Sequence, residues 1–248
     1  MLNAEFFMNS LAMVAVKNGS VQSDLVDLTR QACITAKESV SHALDGLING
    51  SPAALHAVRA CEEKLDDLDR ELDERLANTI TQVAPEQARE LLASMKLMLD
   101  LERVGDLVAG FAERSAIVRN RIEMEDVEQL TRMACLVENM LSQIGQAFSA
   151  RDMDQAICVL RTDAEIDRLR NLLTVRHTES SEGLKGQESL HVLAMANALE
   201  RAGDHVKNMA EELCHLVTGH TLRHLIRAKD KPLEQLFLDW LARQNTPK

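Results

Sequence analysis

A chain of 248 residues has room for one large domain or two small ones, and either buries a workable core. Aromatic residues make up only 2%, and ten glycines, four prolines and no tyrosine stand against abundant Leu, Ala, Glu and Arg, which excludes a strand-rich fold and points to helices. A formal charge of -11 excludes a nucleic-acid binder, because affinity for a phosphate backbone comes from clustered Lys and Arg.

The first stretch, Ala4 to Val16, is apolar but short, carries Glu5 and Asn9 and lacks a cationic leader. It reads as neither a membrane span nor a signal peptide, and residues 1–19 are set apart as an N-terminal extension. Helix one follows, with Thr29 to Cys33 reading TRQAC, and ends at Asn49-Gly50-Ser51-Pro52, where Ser51 suits an N-cap and Pro52 a first helical turn. Helix two holds CEEKLDDLDREL from Cys61. Pro85 punctuates before helix three, which holds DLERVGDLVAGFAE from Asp100.

A boundary falls near Arg119 to Glu123, and the pattern then starts again. Thr131 to Cys135 reads TRMAC, Ala150-Arg151-Asp152 is a turn, TDAEIDRLRNLL runs from Thr162, Glu179 to Gly186 is a loop, and ALERAGDHVKNMAE runs from Ala198. Three matches in the same order, roughly 100 residues apart, mark a duplicated unit. Within it the apolar spacing is helical: Leu97, Leu101, Val104, Val108 and Phe111 in one copy, and Val192, Met195, Leu199, Ala202, Val206, Met209, Leu213 and Leu216 in the other, describe bundle seams. The expected fold is all-α: two tandem homologous three-helix bundles with six long helices of about 25 to 35 residues. Repeat one occupies residues 20–120, repeat two residues 121–224, and a C-terminal tail residues 225–248.

Four acidic pairs recur in equivalent places. Glu102 with Asp106 and Glu200 with Asp204 stand four apart, as do Glu62 with Asp66 and Asp163 with Asp167 on the preceding helix of each unit. That spacing puts both carboxylates of a pair on one helix face, where they repel. Relative to the seam they fall on the outer flank, so the site is expected at the surface. A hard or intermediate cation such as iron, manganese or magnesium would relieve several pairs together. Solvated acidic surface is the competing reading, and so is ion pairing by the adjacent Arg103 and Arg201. Gly105 and Gly203 lie inside these helices at a cost of about 1 kcal/mol each against alanine, which implies close approach of a ligand or of another helix.

At these residues the chain resembles the PhoU family, whose hallmark is a repeated acidic pair in a phrase close to LERIGDH-x-x-NIAE; Leu199 to Glu211, LERAGDHVKNMAE, is nearly a full match. The likeness runs from about Val21 to His224. It implies a non-enzymatic regulator that represses phosphate-starvation signalling through contact with a phosphate ABC transporter and its sensor histidine kinase, with surface multinuclear iron or zinc clusters in some members. A cytoplasmic homodimer with at most peripheral membrane association is expected, which agrees with five cysteines that form no secretory disulfide framework. Carried over by position, the metal ligands are Glu62, Asp66, Glu102 and Asp106 in repeat one and Asp163, Asp167, Glu200 and Asp204 in repeat two. The first copy departs from the pattern, with Leu107 in place of His205 and Gly110 in place of Asn208, and a weaker polar shell is expected there.

Two other functions compete. PhoU-like domains also accompany sodium-phosphate cotransporters and other ion transporters. A di-iron carboxylate enzyme would need E-x-x-H motifs on separate helices, whereas Glu188 to His191 and Glu212 to His215 lie on one predicted helix, about 36 Å apart by the helical rise. His42, His56, His177, His220 and His224 read as surface or capping residues, and Cys33 and Cys135 as matched buried apolar positions. The tail places Arg223, Arg227, Lys229 and Lys231 before Leu236, Phe237, Trp240 and Leu241, either a helix capping the bundle or one that docks on a partner or membrane surface.

Overall fold

The computed structural model describes the backbone of residues 2–179 and 186–219, and side chains over 24–178 and 186–219. The Glu179 to Gly186 loop, the tail, His220 and His224 therefore lie wholly or mostly outside the described residues. Among the described residues six helices follow one another: α1 (Leu2–Asn49), α2 (Pro52–Thr79), α3 (Pro85–Val118), α4 (Met124–Ala150), α5 (Met153–Glu179) and α6 (Gly186–Thr218). Among the described residues there is no strand, and no helix is long and apolar enough to cross a membrane. At 48 residues α1 is longer than expected, because its helix continues back through the segment set apart as an extension.

In each unit the three helices pack on one another, α1, α2 and α3 in the first and α4, α5 and α6 in the second. The units also join along their length, α1 against α4 and α3 against α6. Helices α2 and α5 therefore flank a central set of four. The seams predicted for α3 and α6 are the ones buried: Leu97, Leu101, Val104 and Phe111 are fully covered, as are Val192, Met195, Ala202, Val206 and Met209. With so few aromatics the core is filled by Leu, Val, Ala and Met, whose volumes suit closely spaced helices.

The helix ends show how short turns are enforced. Gly50 ends α1 in the left-handed conformation at φ 66°, and its missing Cβ leaves room for the Arg119 guanidinium, which donates to the carbonyls of Leu47 and Ile48 at 3.4 and 3.1 Å. Ser51 occupies the cap position of α2, but its hydroxyl bonds Asp45 instead of the helix backbone; with the Asn49 amide, the larger cause, it holds the Asp45 carboxyl below its usual range. In the second unit the matching turn puts Arg151 at φ 54°, a strained position for a residue with a side chain, and Arg151 forms an ion pair with the buried Glu90 of α3. Asp152 then caps α5, accepting from the backbone N–H groups of Asp154 and Gln155 at 3.0 and 3.2 Å. Asp152→Ala is expected to lower the melting temperature by about 2–4 °C, measured by circular dichroism, with Asp152→Asn retaining most of it.

One polar cluster lies inside the fold, at the end where α4 begins, α5 ends and α6 begins. Asp126 is 1% exposed; its Oδ1 meets His177 Nε2 at 3.1 Å and Arg176 Nε at 3.1 Å, and His177 Nδ1 meets Ser189 Oγ at 3.1 Å. Of the two expectations for His177, surface or capping, the first is corrected: its side chain is 1% exposed, enclosed where the ends of three helices meet, with Asp126 and Ser189 as partners of its ring nitrogens. The cysteine expectation also needs correction. Cys33 is buried, in contact with Gly145 of α4, and burial pushes its thiol up to about 12, but Cys135 is exposed, so the two copies do not pack alike at this position.

Candidate functional site

The acidic pairs lie along the seam between α2 and α3 in the first unit and between α5 and α6 in the second. The two glycines bring these helices together. A Cβ on Gly105 would stand 2.7 Å from Leu65 Cδ1 of α2, and one on Gly203 would stand 2.9 Å from Ile166 Cδ1 of α5. Close helix packing therefore accounts for both glycines. It also brings the carboxylates of neighbouring helices within reach of one another's charge.

In the first unit Glu62 and Asp66 of α2 lie within reach of the charges of Glu102 and Asp106 of α3, all four partly or fully exposed. Burial pushes the Glu62 carboxyl above its usual range, and the charges of Asp106 and Asp66 add to the shift. Glu102 moves up for the same first reason; Arg103 opposes the shift, and Asp106, Asp69 and Asp66 reinforce it. Asp69 belongs to the same group, raised by burial and then by Asp73 and Asp66. Sequence reasoning missed Asp69, although its position one turn beyond Asp66 on the same face was a usable signal. The ion pairing weighed for Arg103 is present: it lies 3.7 Å from Glu102 and 3.4 Å from Asp106, but its side chain is 60% exposed and approaches from solvent.

The second unit is built from the same acids with a different outcome. Asp163 is not on the surface but 5% exposed, a correction that follows from the close approach of α5 to α6 at Gly203. Its carboxylate is held by the Lys207 ammonium, which also lies 3.8 Å from Asp204. Burial pulls the Lys207 ammonium down, but Asp163, Asp204 and Asp167 together more than restore it, so it stays charged. Arg170 reaches Glu200 at 3.3 Å. Neither cation was singled out from the sequence, yet the repeat alignment contained the signal, since Arg170 stands opposite Asp69 and Lys207 opposite Ala109.

His205 does not serve the acidic pair beside it. Its Nδ1 meets Asp100 Oδ1 of α3 at 2.8 Å and ties the two units together. The E-x-x-H motifs both lie on α6; Glu188 pairs with Arg121 of the turn between α3 and α4 at 3.4 Å, and Glu212 with Lys96 of α3 at 2.9 Å. Both carboxylates are thus held in ion pairs, and the one between Glu212 and Lys96 joins the repeats.

The PhoU domain profile matches the chain twice, over residues 29–115 and 130–213, once for each unit. The chain belongs to the PhoU family. Among curated relatives, the phosphate-specific transport system accessory protein PhoU homolog of Rhizobium meliloti is 30% identical over 74% of this chain and 80% of its own length. PhoU homolog 1 of Thermotoga maritima, described in the same words, is 26% identical over 79% and 87%. Crystal structures of PhoU from Pseudomonas aeruginosa (TM-score 0.74, 23% identity, 82% of this chain and 99% of that one) and of the phosphate transport system regulatory protein PhoU from Streptococcus pneumoniae (0.72, 22%, 84% and 98%) share its fold.

The PhoU resemblance carries the expectation of a metal cluster, as in some members, and the residues of the two motifs fit one differently. The first unit offers five carboxylates with no buried cation among them, a donor set that suits a hard or intermediate cation. Among the described residues no three potential ligands are already gathered at one point, so these side chains would have to swing together around an ion. The second unit does not fit, because its buried carboxylate already holds an ammonium.

Proposed function

We propose that this chain is a non-catalytic regulator of phosphate uptake that lowers phosphate-starvation signalling by acting as an adaptor between a phosphate ABC transporter and its sensor histidine kinase. The reading is supported by the double PhoU-domain match, which spans both units, together with relatives named as accessory to a phosphate-specific transport system. We place it in the cytoplasm as a homodimer, with the acidic ladder of α2 and α3 taking iron, zinc or another divalent cation as part of a multinuclear cluster. Glu62, Asp66, Asp69, Glu102 and Asp106 would hold that cation, and its role would be to screen repulsion along a face offered to partners.

Deletion of the gene is expected to raise transcription of phosphate-uptake genes in phosphate-rich medium, read by quantitative reverse transcription. Unchanged transcription in the deletion strain, with the wild-type chain present in the parent, would overturn the reading.

A further inference from the structure

We infer that Lys207, assisted by Arg170, is a built-in counter-cation that takes the place of a metal ion in the acidic motif of the second unit. The two motifs share their four acids but differ at two points of the seam. Where the first unit has Asp69 and Ala109, the second has Arg170 and Lys207. Each substitution adds positive charge at the place where carboxylates of two helices meet. The Lys207 side chain is 26% exposed and the Asp163 side chain 7%, so the pair is set into the seam and not laid over it. Arg170 and Glu200, 30% and 19% exposed, form the neighbouring contact. Arg103 of the first unit is no equivalent, because it comes from solvent on the same helix as the acids it touches.

The physical reason is charge balance. Burying a carboxylate beside three others demands a compensating cation, from solution or from the chain. An ammonium supplied by the chain is always at full occupancy, and a divalent ion arriving there would have to displace it while meeting like charge. The second motif is thus held together without metal, and cation dependence is confined to the first.

The comparison with the first unit rests on the metal reading proposed above; the assignment of Lys207 does not, and full-length protein stripped with a chelator separates the two. With the first motif disabled by Glu102→Gln and Asp106→Asn, equilibrium dialysis against Mn²⁺ is expected to show no uptake. Adding Lys207→Gln, which retains a hydrogen-bond donor for Asp163, is expected to create Mn²⁺ uptake that the parent lacks, with an association constant about tenfold or more above the detection limit set by the parent. Without metal Lys207→Gln is expected to lower the melting temperature, and Mn²⁺ to restore it. In the first unit Asp69→Arg, a partly exposed site that copies Arg170, is expected to raise the metal-free melting temperature.

Mn²⁺ uptake by the disabled protein that disappears with Glu200→Gln and Asp204→Asn would overturn the inference. So would a Lys207→Gln protein that melts like its parent and takes up no ion, or an Asp69→Arg protein no more stable than wild type. If wild-type protein binds no Mn²⁺ while Lys207→Gln does, the metal reading of the first unit fails and the counter-cation stands.

Discussion

Asp126→Ala is expected to destabilise the protein by about 3 kcal/mol, a drop of roughly 6–12 °C in melting temperature. The carboxylate is almost fully buried, meets the ring of His177 of α5 within hydrogen-bond distance and forms an ion pair with Arg176 of the same helix, while the other ring nitrogen of His177 meets Ser189 of α6. Removing it leaves a buried imidazole with one ring nitrogen unpartnered, and a buried polar group without a partner costs about 1–3 kcal/mol. Loss of the ion pair adds to this, although Arg176 keeps Glu123 and Glu125 and is 22% exposed, so that part is discounted. Asp126 also stands in the first turn of α4, where a negative charge suits the exposed N–H groups. Asp126→Asn keeps an acceptor without the charge and is expected to cost less than half as much. Thermal melts of the two variants check this, and a loss below about 1 kcal/mol for the alanine variant would show that the three helix ends are held by apolar packing alone.

Chelation is expected to lower the melting temperature by about 5–10 °C at neutral pH relative to protein held at 100 times the dissociation constant of Mn²⁺, since binding at that level adds about 2.7 kcal/mol to the folded state. The pH dependence follows from the upward shifts at Glu62, Glu102 and Asp69, each caused first by burial. An acid whose folded pKa lies above its unfolded value contributes stability that is complete below the unfolded value and lost as pH rises through the folded one. At neutral pH, therefore, the metal-free cluster is ionised and weakens its unit, and a cation has the most to add. As pH falls into the raised carboxylate range, protons compete with the ion, and the difference between metal-loaded and chelated protein should shrink toward zero. Glu102→Gln with Asp106→Asn should abolish that difference at every pH, while Glu200→Gln with Asp204→Asn leaves it. A difference that survives the first pair, or grows toward acid pH, would rule out this cluster as its source.

Much of the candidate site is legible in the sequence, and particular residues show why. Pairs such as Glu102 with Asp106 announce themselves because the helical period alone places residues four apart on one face. Gly105 and Gly203 were visible as anomalies, yet their purpose was not, since a glycine in a helix reads the same whether a ligand or the side chain of Leu65 or Ile166 fills the space. Lys207 lay within the matched phrase and passed for an unremarkable polar residue; only its reach across to Asp163 on another helix gives it a role. His205 was misjudged for the same reason, its neighbour along the chain being an acid of its own repeat and its partner in space Asp100 of the other.

The amino-acid order alone determined the helices, their duplication and the faces on which acids and apolar residues would lie, because helical periodicity and turn chemistry are local and survive in a one-dimensional string. Tertiary structure decided which charges meet. Whether a carboxylate faces Ala109 or Lys207, solvent or a neighbouring ammonium, depends on how closely two helices approach and at what register. That distance is set by contacts between residues far apart in the chain, and charge interactions change steeply over those few ångströms.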